Sequence, residues 1–264
     1  MISAEIASGV LNGSVLDDLD KDLRSSDISV SLDGTAIPFD FNAGSISAPL
    51  SLETGHHHII ITATDESGNI SRRSIGYSSG EEEIEHPFTD MPLNNWATKY
   101  VEYLGSKGVI NGKTKDGKTV YDPSANMSRQ EFAAVIIRWL GTDVTQYEST
   151  ELGFSDVDQI SGWALPSVKA VKAMGLMSGK GEGFDPKGYI TRQEAMTVIG
   201  RIQEKGYGED DLSSFTDASD VSAWALPYVK TLVFQGIIGG SNGKLNPKGY
   251  ITRAQVAKVI FELY

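Results

Sequence analysis

"KGYITRQEA" at residues 187–195 returns as "KGYITRAQV" at residues 248–256, and the way this stretch is read decides the architecture of most of the chain. Thr191 and Thr252 are each followed three residues later by Glu194 and Gln255, and "SRQE" repeats the spacing with Ser128 and Glu131. A hydroxyl residue with Glu or Gln at the third following position is a capping box: each side chain satisfies a backbone N–H that the first helical turn leaves open. Such a cap stabilises a helix by about 1 kcal/mol. It accounts for the first and fourth positions of the motif but not for the second, where Arg129, Arg192 and Arg253 place a cation against the positive end of a helix. Arginine presents a planar fork that fits a carboxylate, and a helix N-terminus is itself receptive to anions. Together they describe a small receptor for a carboxylate or phosphate. The competing reading pairs each arginine with Asp90, Asp156 or Asp217 of a neighbouring copy.

Outward from the motif, the chain contains three copies of one longer pattern. The copies begin at "FTDMPLNNW" from Phe88, "FSDVDQISGW" from Phe154 and "FTDASDVSAW" from Phe215. In the third, Trp224, Ala225, Tyr228, Val229, Leu232 and Val233 draw one apolar stripe at helical spacing. Gly108, Gly175 and Gly236 follow such stripes as helix terminators. The pairs Asp122-Pro123, Asp185-Pro186 and Asn246-Pro247 mark a turn before each second helix. Each copy therefore reads as helix, loop, helix. One such pair cannot bury its own apolar face, so the three should share a core. The first copy carries a longer connection, "KTKDGKTV". Trp96, Trp163 and Trp224 are open to two readings, core packing or stacking on a sugar ring. Gly112, Gly179 and Gly240 in "GVING", "GLMSG" and "GIIGG" terminate helices and also allow backbone N–H groups to approach a ligand.

Ahead of the repeats, "DISVSLDG", "SAPLSLETG", "HHHIIITATDESGN" and "ISRRSIGY" are short β-branched runs cut by turn residues, which predicts a small antiparallel β domain. "SSGEEEIEH" at 78–86 reads as a linker. Charge divides at the same place. Residues 1–86 carry 4 Lys/Arg against 15 Asp/Glu, while the remainder carries 19 against 20. The acidic front argues against nucleic acid, and the neutral rear with placed arginines leaves room for an anionic ligand. Cysteine is absent, which excludes disulfides and thiolate chemistry. No apolar run is long enough for a membrane span and the first 16 residues lack the pattern of a signal peptide. On that test the chain reads as a cytoplasmic protein or as part of an exported one. "HHH" at 56–58 lies in a predicted strand whose side chains alternate between faces, and Asp18, Asp20 and Asp22 lack the glycine and glutamate of a calcium loop. No phosphate loop, nucleophile turn or triad occurs. No catalytic residue, metal or cofactor is expected.

The combination of the Phe-x-Asp start, the tryptophan, the glycine pair and the "TRAE"-like signature at one spacing resembles the S-layer homology domain family, in its usual set of three. The resemblance implies an all-α pseudo-threefold bundle of three helix-loop-helix repeats at 87–145, 153–206 and 214–264. Within the small β-sandwich domain expected at 1–77, residues 26–77, notably "HHIIITATDESGNIS", resemble a bacterial immunoglobulin-like module. The resemblance further implies a non-enzymatic module on the bacterial surface. It would bind a secondary cell wall polysaccharide bearing pyruvylated N-acetylmannosamine, with peptidoglycan as a further wall partner, and carry cargo lying upstream. In that family the signature arginine meets the pyruvate ketal in grooves between adjacent repeats. Here the role falls on Arg129, Arg192 and Arg253, with Asp90, Asp156, Asp217, the three tryptophans and the glycines as lining. Ser128 and Gln255 depart from the signature, leaving the third groove the weakest match. The alternative is a structural protein whose main contacts are with other copies in a surface lattice.

Overall fold

The structure, a computed structural model, describes residues 2–15, 23–65, 70–79, 88–92, 95–203 and 212–263. The front part forms two four-stranded antiparallel sheets. One has the order β1 (Ile2–Ala7), β2 (Val10–Val15), β6 (Ser45–Pro49), β5 (Asp40–Asn42). The other has β4 (Thr35–Ala36), β3 (Ile28–Leu32), β7 (Gly55–Thr64), β8 (Ile70–Ser79). Alternation along the strands sends Leu11, Val15, Ile46 and Ala48 inward from the first sheet. From the second, Ile28, Val30, Ile59, Ile61 and Ala63 meet them in one core. This pair of sheets is consistent with the expected immunoglobulin-like module. The hairpin of β1 and β2 does not stand out in the sequence, because Ala4 and Gly13 dilute its alternation; its turn is made by Ser8 and Gly9, both at positive φ. Ser78 and Ser79 of the expected linker belong to β8, and the rest of it lies outside the described residues, as do Asp18, Asp20 and Asp22.

In the rear part, α1 (Thr98–Ser106) and α2 (Arg129–Trp139) form the first repeat. The second has α3 (Leu165–Ala173) and α4 (Arg192–Ile202), and the third α5 (Leu226–Phe234) and α6 (Arg253–Phe261). Gly108, Gly175 and Gly236 take positive φ directly after the first helices, and Val109, Leu176 and Ile237 donate back to Leu104, Val171 and Leu232. This is the closure a left-handed glycine permits. The helices pack across repeat boundaries: α2 on α3, α4 on α5, and α6 back on α1. A single apolar cluster runs from Phe88 to Phe261 through all three repeats.

The ring is closed by backbone as well. Arg129 N–H donates to Gly188 O, Arg192 N–H to Gly249 O, and Arg253 N–H to Ala125 O, so each second helix begins on the turn of the next repeat and the third begins on the first. Extended residues ahead of these helices bridge to their neighbours in antiparallel fashion, at Ser128–Tyr189, Thr191–Tyr250 and Asn126–Thr252. These bridges, together with a hairpin of β9 (Lys113–Lys115) and β10 (Lys118–Val120), correct the expectation of an all-α bundle. The hairpin is the "KTKDGKTV" connection. Asp116 and Gly117 at its tip both take positive φ, as a two-residue hairpin turn requires, and the flanking Lys-Thr-Lys and Lys-Thr-Val pair in register. The bridges arise because helix-capping residues are extended, leaving N–H and C=O groups that a neighbouring repeat satisfies.

Candidate functional site

The capping boxes are formed in all three second helices. Glu131 Oε2 accepts from Ser128 N–H at 2.9 Å and from its hydroxyl at 2.7 Å, and Glu194 Oε2 does the same for Thr191 at 2.8 Å each. The other carboxylate oxygen faces an arginine of the preceding repeat. Arg253 Nη1 lies 3.2 Å from Glu131 Oε1, and Arg129 Nη1 lies 3.5 Å from Glu194 Oε1. Lys113 and Lys180 join the same oxygens at 2.8 and 3.2 Å. One glutamate thus caps its own helix and neutralises its neighbour's arginine.

The rest of these two guanidinium groups is engaged by main-chain oxygens. Arg129 donates from Nε to Phe184 O at 2.8 Å and from Nη2 to Ser178 O at 2.7 Å. Arg253 makes the equivalent bonds to Tyr121 O and Asn111 O. Both side chains are buried and lie over an aromatic ring, Phe184 and Tyr121 respectively. Arg129 and Arg253 are therefore fixed in the wall between repeats, and neither structural pairing with an aspartate nor a freely projecting cation describes them. Burial pulls the guanidinium of Arg129 down from its ordinary value, against the charges of Glu194, Asp185 and Asp156. Glu131 and Glu194 are held below the usual carboxylate range: burial opposes this, but bonds from Ser128 or Thr191 and the neighbouring cations outweigh it.

Asp90, Asp156 and Asp217 face inward within their own repeats. Each accepts two backbone N–H groups at 2.7–2.8 Å, from Tyr121 and Asp122, Phe184 and Asp185, and Leu245 and Asn246. They pin the turns in which Asp122, Asp185 and Asn246 adopt positive φ before proline, a conformation that Asp and Asn tolerate. None of the three aspartates is among the residues lining the grooves described next.

Three grooves of about 600, 340 and 620 Å³ open on the ring, and each takes parts from all three repeats. The first combines the Ile110–Gly112 loop and Glu131 of the first repeat with Trp163 of the second and Arg253 of the third. The second joins the Leu176–Gly179 loop and Glu194 with Trp224 and Arg129. The third joins the Ile237–Gly240 loop and Gln255 with Trp96 and Arg192. Trp96, Trp163 and Trp224 are 55, 60 and 52% exposed, so they stand outside the apolar stripes that pack the first helices. Gly112, Gly179 and Gly240 line the grooves because nothing larger fits behind them. A Cβ there would lie 2.7, 2.9 and 2.8 Å from the rings of Phe88, Phe154 and Phe215.

The sequence pattern did not disclose Gln130 and Gln193. Gln130 is buried and exchanges two hydrogen bonds with Ser161, while Gln193 accepts from Ser222 N–H. Both serines sit two residues ahead of a groove tryptophan, so the glutamines position the following repeat's aromatic. Their appearance between Arg and Glu in "RQE" was the available signal.

A family model for the S-layer homology domain matches residues 87–133, 153–196 and 214–257, which is half of the chain. The chain belongs to the S-layer homology domain family. Relatives include an exoglucanase, XynX, of Acetivibrio thermocellus, 31% identical over an alignment of 245 residues that covers 88% of this chain and 21% of that protein. A surface-layer 125 kDa protein of Lysinibacillus sphaericus is 34% identical over 173 residues, 63% of this chain and 14% of the relative. S-layer protein EA1 of Bacillus anthracis is 30% identical over 177 residues, 66% and 19%. The chain spans about a fifth or less of the length of these relatives. Membership makes the three repeats a binding and anchoring module of the cell surface or cell wall. Among the described residues no helix is long and apolar enough to cross a membrane.

Proposed function

We propose that the three S-layer homology repeats hold the protein to the bacterial cell wall by binding an anionic, pyruvylated secondary wall polysaccharide in the grooves, with the β module as a spacer toward parts of a larger protein. The observation that carries this reading is the composition of the grooves. Each is lined by a half-exposed tryptophan, a signature arginine and a glycine loop. A pyranose presents a flat C–H face that suits the indole. A ketal carboxylate on the same residue suits the guanidinium and lysines. Three such grooves on one rigid ring would retain a repeating polymer by avidity, with no single tight site.

Sedimentation with purified wall sacculi tests the reading. The full chain should pellet with native sacculi and remain in the supernatant when pyruvate has been stripped from them. Equal pelleting with both preparations would refute recognition of the carboxylate.

A further inference from the structure

The three grooves are not electrostatically equivalent, and the third departs from the others at the two positions that form an ion pair in them. Where the first two carry a Lys–Glu pair, Lys113 with Glu131 and Lys180 with Glu194, the third carries Ser241 and Gln255. Glutamate has two oxygens and divides them between cap and arginine. Gln255 has one, and Oε1 serves both Thr252 N–H at 3.1 Å and Arg192 Nη1 at 3.3 Å. Arg192 therefore retains its formal charge with no carboxylate on its fork. Its Nε donates to Leu245 O, and among the described residues its remaining Nη has no hydrogen-bond partner. It is also less deeply buried than Arg129 and Arg253. Asp217, the carboxylate whose field reaches it, has both oxygens on backbone N–H groups. Besides the signature arginine each lining holds two further cations, Lys113 and Arg138, Lys180 and Arg201, or Lys244 and Lys258, but only the third contains no Asp or Glu, whereas Glu131 and Glu194 line the other two grooves.

We propose that the Arg192 groove is the first anion site of the ring. It accepts a carboxylate directly onto an uncompensated guanidinium, while in the other two an incoming carboxylate must displace or crowd Glu131 or Glu194. The assignment rests on the reading of the grooves as anion-binding and ranks them. The departure of Gln255 from the family signature, which in sequence marks this groove as the weakest match, becomes the reason it binds first. Replacing an internal carboxylate by a neutral amide leaves Coulomb attraction for an external one. The expected gain is about fivefold in affinity, the upper range for one charge pair near the surface.

Each groove is lined by an equivalent glycine, Gly112, Gly179 or Gly240, whose amide resonance reports on it separately. The full chain, isotopically labelled, is titrated with sodium pyruvate at constant ionic strength against chloride. The Gly240 amide should shift at about fivefold lower concentration than the other two. Gln255→Glu should remove that lead, and Glu194→Gln should bring Gly179 level with Gly240. Shifts that move together in the unaltered protein, a lead by Gly112 or Gly179, no shift at Gly240, or indifference to Gln255→Glu would each overturn the proposal. A Gly240 lead alongside unchanged pelleting on depyruvylated sacculi would refute the wall reading alone. Lost pelleting alongside equivalent grooves would refute the ranking alone.

Discussion

The β module closes its core between strands near one another in the chain, whereas the repeat ring closes only when its last helix returns to its first. In the β module the hairpins β1–β2 and β7–β8 pair strands adjacent in the chain, and β3 closes on β7 within the same 79 residues. In the ring each helix pairing crosses a repeat boundary, and the closing bond, Arg253 Nε to Tyr121 O, spans 132 residues. The difference teaches that an isolated repeat here is not a smaller version of the binding module. It lacks the arginine, which comes from the repeat before, and the tryptophan, which comes from the repeat after.

The most severe way to break this comparison is to remove the third repeat. A chain ending at residue 211 loses Arg253, Trp224 and α6, and with them a component of every groove. Calorimetry should show the ring's cooperative transition abolished while a transition of the β module remains; an unchanged ring transition would mean that the repeats fold independently. Next in size is Arg253→Ala. It strands Tyr121 O and Asn111 O and leaves Glu131 without one of its two cations, and denaturant unfolding should register a loss of about 3 kcal/mol. Arg192→Ala, which removes two hydrogen bonds to neutral acceptors and no charge pair, should cost about half as much. Equal losses would deny that the third groove differs. Gly179→Ala drives a methyl to 2.6 Å from Gly183 O and 2.9 Å from Phe154, and roughly 1–3 kcal/mol of overpacking should follow.

The two regions should also separate with pH, in opposite directions. Glu131 and Glu194 titrate below their unfolded values, so the stability they contribute is complete above the ordinary carboxylate range and disappears as pH falls through their lowered values. The ring should weaken in acid, and Glu131→Gln should flatten that limb. In the β module His57 titrates above its ordinary value: burial lowers it, but hydrogen bonds to Asp33 and to the Glu53 carbonyl, both acceptors, favour the charged ring. Its contribution is complete below 6.5 and is lost as pH rises through the raised value. This smallest effect should appear as a slightly lower module midpoint in alkali, absent in His57→Gln.

The sequence carried the local devices well. The capping pairs, the terminating glycines after α1, α3 and α5 and the Asp-Pro turns all operate within a few residues, and their chemistry is visible in the residue types. What escaped was the assignment of parts to grooves. "TRQE" looks like one site, yet Arg192 and Glu194 point into different grooves because successive positions on a first helical turn diverge around the axis. The aspartates of the Phe-x-Asp starts looked like ligand groups, whereas their bonds to turn N–H groups depend on how the loop folds back. The β9–β10 hairpin was signalled by Asp116-Gly117 between threonine-bearing arms, but its three-residue strands are too short for an alternation to register.

The central claim is that the groove tryptophans bind wall polymer and do not hold the fold. Titration calorimetry of soluble wall polysaccharide into the protein carrying Trp96→Ala, Trp163→Ala and Trp224→Ala together tests this most directly, with the thermal midpoint measured alongside. Because all three rings are more than half exposed, the account predicts that binding disappears while the midpoint stays within a few degrees of the unaltered protein. Polymer binding that survives the triple replacement in a folded protein would contradict it.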